Sequence, residues 1–101
     1  MKIEFIPEAV IEYKSLDGSI KKLADEKIDE LEKNPFLGEE LGNKNNIDLT
    51  GYYKLYFAKK RYRIVYRIVK NEIEIIEIWE IGKRDKMEIY ETVNKRITDR
   101  K

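Results

Sequence analysis

The sequence predicts a small α+β domain of order β-α-α-β-β-β-α, with an antiparallel-dominated sheet packed on an N-terminal helical hairpin. Three observations predict it. Ile20, Leu23, Ala24, Ile28 and Leu31 recur at helical spacing and share one face. Three later runs, within residues 53–81, repeat apolar side chains every second position. The length of 101 residues suits one domain, 1–101, able to bury a core without covalent staples.

The elements follow in order. Lys2–Ile6 alternates enough for a short strand. Pro7 suits a first helical turn, because its missing N–H has no partner there anyway. That helix runs to about Leu16, where Asp17-Gly18 stops it. Ser19 is the expected N-cap of the second helix. Asn34-Pro35 ends it, since the residue before a proline avoids helical torsions. The two helices form an αα-hairpin. Residues 36–51 are rich in Gly and Asn and read as a loop.

Three strands come next, over 53–58, 61–69 and 72–81, with tight turns at Lys59-Lys60 and Lys70-Asn71. This register sets Tyr56 opposite Arg63, Tyr66 opposite Ile75, and Tyr62 opposite Trp79. One face then carries Tyr53, Leu55, Phe57, Tyr62, Ile64, Tyr66, Ile68, Ile73, Ile75, Trp79 and Ile81, with Glu77 as an exception. The other carries Lys54, Tyr56, Arg61, Arg63 and Arg67, and is expected to be a basic, solvent-facing surface. A one-residue slip would bury those arginines at a cost of roughly several kcal/mol for each unpaired charge. A final helix follows, with Asp85 as cap, Glu88 in capping-box spacing, and a stripe of Ile89, Val93 and Ile97.

The composition narrows the chemistry. There is no cysteine and no histidine, which excludes disulfides, thiol nucleophiles, imidazole catalysis and the usual zinc sites. No metal or other cofactor is expected. No apolar run approaches bilayer length and no signal segment opens the sequence, so a cytoplasmic protein with no membrane role is expected. The net charge of +1 hides a division: residues 1–50 balance to −5 and residues 51–101 to +6. Lys54 to Lys70 holds seven basic residues and no acid. Such a cluster suits a polyanion, although a solvated basic strand is the simpler reading of charge alone.

The candidate residues each have a plain competitor. In the expected register Arg67 faces Glu74 and Arg61 faces Glu80, as cross-strand ion pairs. Arg63 is expected to face the neutral Tyr56 and Ile78, which makes it the strongest candidate phosphate ligand. Lys54 reads equally as a solvated amine, and Tyr90 as a core tyrosine with its hydroxyl at the rim. Arg84, near a helix start, opposes the helix dipole and invites another explanation.

The stretches Leu49-Thr50-Gly51-Tyr52-Tyr53-Lys54-Leu55, Tyr62-Arg63-Ile64-Val65-Tyr66-Arg67-Ile68 and Ile81-Gly82-Lys83-Arg84-Asp85-Lys86-Met87-Glu88-Ile89-Tyr90 resemble, in that order, toxins of the RelE/ParE superfamily, most closely the RelE type. The resemblance implies a RelE-like fold and the toxin of a type II toxin–antitoxin system. It implies a ribosome-dependent mRNA endonuclease that uses the 2′-hydroxyl as nucleophile without a metal and so inhibits translation. It implies Lys54, Arg63, Arg84 and Tyr90 as catalytic residues. The basic face adds Tyr56, Lys59, Arg61, Arg67 and Lys83 as expected RNA contacts. The partners it implies are mRNA in the ribosomal A site and a cognate antitoxin in a hetero-oligomer, with Ile76 and Ile78 as antitoxin contacts or as a small core under the last helix. Relatives that cut mRNA often carry a second lysine two residues after the first, where this chain has Tyr56. The alternatives are a ParE-like inhibitor of DNA gyrase, and a degenerate toxin that only binds its antitoxin.

Overall fold

The computed structural model describes residues 1–70, 74–84 and 88–101. Strand β1 (Lys2–Phe5) leads into helices α1 (Pro7–Lys14) and α2 (Gly18–Lys33). Three two-residue strands follow: β2 (Glu39–Glu40), β3 (Asn43–Lys44) and β4 (Ile47–Asp48). The main strands are β5 (Tyr52–Phe57), β6 (Tyr62–Lys70) and β7 (Glu74–Lys83), and the last described helix is α3 (Ile89–Asp99). The sheet order is β1-β7-β6-β5-β2, with β1 parallel to β7 and every other pair antiparallel; β3 and β4 form a separate ribbon. Among the described residues, no helix is long and apolar enough to cross a membrane.

The helical hairpin forms as the sequence predicts, with one change at its join. Asp17, not Ser19, caps α2: its carboxylate accepts from the N–H groups of Ser19 and Ile20. Gly18 therefore occupies the first helical position. Ile20, Ala24 and Leu31 are buried, while Leu23 lies 39% exposed at the margin of the stripe. Asp85, expected to cap the last helix, lies outside the described residues; Glu88 caps α3 by accepting from the Glu91 N–H. The expected stripe holds, with Ile89 and Val93 buried.

The β5–β6 register is as expected, Tyr56 opposite Arg63. The β6–β7 register is not. Tyr62 pairs with Lys83, not Trp79, and Tyr66 with Ile78, not Ile75. Val65 pairs with Glu80 while Tyr66 pairs with Ile78, so Trp79 is the extra residue of a β-bulge. The bulge changes the phase of β7. Before it, Ile76 and Ile78 lie with Ile68 and Tyr66; after it, Ile81 lies with Ile64. Ile76 and Ile78 are therefore fully buried in the main core and are not surface contacts for a partner. The pairing closes at Lys70↔Glu74; Ile73 and Asn71 of the predicted turn lie outside the described residues.

Both sides of the sheet centre are covered. Ile64, Tyr66, Ile76, Ile78 and Ile81 are buried on one side, and Val65, Trp79, Arg63 and Glu80 at the alternate positions are buried too. Helix α3 holds the Trp79 side: Arg96 donates to the Trp79 carbonyl at 2.7 Å and the Arg100 guanidinium lies 5.2 Å from the indole centroid. The expected open basic face is thus confined to the edge where β5, the β5–β6 turn and the end of β7 meet.

Candidate functional site

At that edge Lys54 and Tyr56 project from the same face of β5, two residues apart. The Lys54 amine lies 5.3 Å from the Tyr56 ring centroid. The Arg84 guanidinium, arriving from the end of β7, lies 5.1 Å from the same centroid. One half-buried aromatic ring thus gathers two cations. Arg84 is tied to the β5–β6 turn through its backbone: its N–H donates to the Arg61 carbonyl at 3.0 Å, and its Nη1 reaches the Lys60 carbonyl at 3.4 Å.

Arg63 corrects the sequence reading. Its side chain is buried and pairs with Glu80, where Arg61 was expected to do so. The physical reason is the shift of register: across the bulge Glu80 faces Val65, next to Arg63 on the same side of β6, and the pair shares the space that desolvates it. Burial pushes the Glu80 carboxyl up from its ordinary pKa, and the Arg63 guanidinium opposes that. Glu80 Oε2 has no hydrogen-bond partner among the described residues. Arg63 Nη1 donates to the Arg84 carbonyl at 2.9 Å. Arg63 therefore supports Arg84 from beneath, buried where the sequence predicts a solvent-facing side chain.

The remaining candidates separate. Arg67 pairs with Glu77, not Glu74, at 2.6 Å, and its guanidinium lies over Tyr52 and Trp79. Tyr90 is half-buried; its hydroxyl accepts from the Gly42 N–H at 3.2 Å, and the Lys44 amine lies 5.7 Å from its ring centroid, so it anchors the β3–β4 ribbon to α3. Lys59 is exposed in the turn. Arg61 and Lys83 line a cleft beside Arg84. The structure thus joins Lys54, Tyr56 and Arg84, sets Arg63 under them and Arg61 and Lys83 next to them, and ties Arg67 and Tyr90 into other contacts. Sequence reasoning missed Glu80 as the partner of Arg63 and Lys60 as part of the cleft. The signal for the first was Glu77, an acid in a row of expected core residues, which marks a break of phase. Among the described residues no group of three or more carboxylates is gathered as a metal site.

The mixed five-stranded sheet thus has a helical hairpin between β1 and its remaining strands, a helix after it and cations at one edge. The model of the ParE toxin of type II toxin–antitoxin systems, parDE, matches residues 3–88, and the chain belongs to this family. It is the toxin component of such a system. No curated protein sequence matches the chain. Solved structures are similar to it in fold. The isolated E. coli RelE toxin has 22% identity and a TM-score of 0.69, over 95% of this chain and 97% of that one. A chain of the intact E. coli RelBE toxin–antitoxin complex has 18% identity and a TM-score of 0.68, over 84% of this chain and 98% of that one. The YoeB/ParE toxin from Agrobacterium tumefaciens has 20% identity and a TM-score of 0.66, over 83% and 99%.

Proposed function

We propose that this toxin stops translation in the cytoplasm by cutting mRNA in the ribosomal A site, and that a cognate antitoxin restrains it in a hetero-oligomer. The observation that carries the reading is the placement of the Lys54 amine and the Arg84 guanidinium on one Tyr56 ring. Cleavage by an internal 2′-hydroxyl needs a proton moved off the attacking oxygen, charge held on phosphorus, and a proton given to the departing 5′-oxygen. The 2′-oxygen–phosphorus bond forms as the phosphorus–5′-oxygen bond breaks, leaving a cyclic phosphate. The Lys54 amine takes the proton from the 2′-hydroxyl and, as the ammonium so formed, gives it to the departing 5′-oxygen, so no proton is gained or lost over the step. Arg84 supplies planar contacts to the phosphate oxygens. Tyr56 offers a ring for a nucleobase to stack on, an interaction worth about 1–3 kcal/mol per base. Arg63 is a positioning residue that fixes the Arg84 backbone. Tyr90 acts by holding the β3–β4 ribbon, which borders the sheet.

Translating ribosomes incubated with the wild type are expected to show cut mRNA in the A site, and with Arg84→Ala a loss of about a hundredfold or more in rate, comparable to removal of one charge-stabilising donor. Intact mRNA with both proteins would refute the nuclease reading. One observation favours a second reading: the Arg63 guanidinium is held by Glu80 within the protein, which suits a toxin that binds without cutting, such as a gyrase inhibitor. Loss of DNA supercoiling with translation untouched would establish that alternative.

A further inference from the structure

The chain has six arginines. Four of them pair with carboxylates: Arg63 with Glu80, Arg67 with Glu77, Arg96 with Glu12 and Arg100 with Glu8. The other two, Arg61 and Arg84, lie within ion-pair distance of no carboxylate among the described residues, and both line one cleft of about 540 Å³. Lys60 and Lys83 line it as well, and all four cations are exposed. Among the described residues Asp17 is the one acid in its lining. Its Oδ1 accepts from the Ser19 and Ile20 N–H groups and from the Ser19 hydroxyl, so it is committed to the α2 terminus.

The cleft is built, and is more than a patch of long side chains. Residues 58–60 hold left-handed backbone, with φ of 53°, 58° and 64° at Ala58, Lys59 and Lys60, although none is glycine. That turn aims the Lys60 carbonyl at Arg84 Nη1, and the Arg61 carbonyl accepts the Arg84 N–H. The turn and the end of β7 are thereby fastened together with their cations around one hollow. Arg84 belongs to two places at once: it lines this cleft and it lies on the Tyr56 ring.

We propose that the cleft is a phosphate subsite for single-stranded RNA, taking a backbone phosphate that flanks the one at Tyr56. The proposal rests on the RNA reading above. The forked guanidinium of Arg61 and the ammonium groups of Lys60 and Lys83 suit phosphate oxygens, Arg as a planar clamp and Lys as point charges. Arg84 lies both on the Tyr56 ring and in the cleft lining, so a strand whose reacting phosphate meets Arg84 has the cleft next to it.

The test is fluorescence anisotropy of a short labelled single-stranded RNA across a salt series, with the full chain. Lys60→Gln/Arg61→Gln is expected to bind about tenfold more weakly and to flatten the slope of log K against log salt by about 0.7, the value for one phosphate on a single strand. Lys83→Gln, which removes another cation of the lining, is expected to act in the same direction. Lys22→Gln/Lys33→Gln, which removes two exposed α2 charges, is expected to change neither. Circular dichroism shows whether each variant folds. Wild-type affinity and slope in Lys60→Gln/Arg61→Gln would overturn the subsite, as would an equal loss in the α2 control. An acidic peptide that loses binding while RNA does not would also overturn it and assign the cleft to a protein partner. RNA binding that depends on Lys60 and Arg61, without A-site cutting by the wild type, keeps the subsite and removes the nuclease. Cutting with RNA binding unaltered in the variant does the reverse.

Discussion

At the scale of single residues, Gly38 decides how closely the loop after α2 approaches β5. A Cβ built there would sit 2.6 Å from the Lys54 carbonyl oxygen and 2.8 Å from the Tyr66 hydroxyl. That hydroxyl accepts from the Gly38 N–H at 2.9 Å and donates to the Pro35 carbonyl at 2.8 Å, so it has nowhere to retreat. Gly38→Ala is expected to destabilise by about 1–3 kcal/mol, the range for overpacking a filled site. A urea midpoint lowered at constant m-value would show it, and an unchanged midpoint would refute it. Lys54 and Tyr56 fall where the sequence places them because both depend on the β5–β6 register, which is as expected; Arg84 follows β7 and is brought to them by the Lys60 and Arg61 carbonyls of the turn. Arg63 was misread because its surroundings depend on where β7 breaks phase. Period-two reasoning assumes an unbroken strand, and only Glu77 hinted otherwise.

At the scale of elements, the helices were legible because apolar spacing and breakers agree: Pro7, Asp17-Gly18 and Asn34-Pro35 bound them. The two-residue strands β2, β3 and β4 were not. Such short pieces have no periodicity, and tertiary pairing alone defines them. Only the Asn45-Asn46 turn between β3 and β4, at φ of 52° and 65°, follows from residues that tolerate left-handed backbone. The start of α2 allows a direct measurement. Asp17 satisfies two N–H groups and Ser19 merely supports it with its hydroxyl. Asp17→Ala is expected to lower the thermal midpoint, as removal of an N-cap does, and Ser19→Ala distinctly less. Thermal unfolding followed at the helical band would rank them, and a larger effect at Ser19 would contradict the assignment.

At the scale of the whole molecule, the two ends of the chain are joined by charge. Arg100 of the C-terminal segment pairs with Glu8, and Arg96 of α3 with Glu12, both carboxylates on α1. Arg100 also covers Trp79, so the ion pairs close the helix over the aromatic side of the sheet. The hydrogen bond from Arg100 holds the Glu8 carboxyl at a pKa of about 2, against an ordinary 4.5. A carboxyl lowered on folding stabilises above its unfolded pKa, and that stabilisation fades as pH falls from about 4.5 toward about 2. Both partners are about one-third exposed, so water and salt screen the pair, and its contribution is about 0.2–1 kcal/mol. Glu80 has the opposite sign, because burial raises its pKa. The acid limb must therefore be read from a difference between proteins and not from the wild type alone. Urea unfolding of the wild type and Glu8→Gln at successive pH values is expected to show the wild type ahead at pH 6 and the gap narrowing below pH 4.5. A gap that stayed constant down to pH 2.5 would show that Glu8 does not carry the closure, and that packing on Trp79 does.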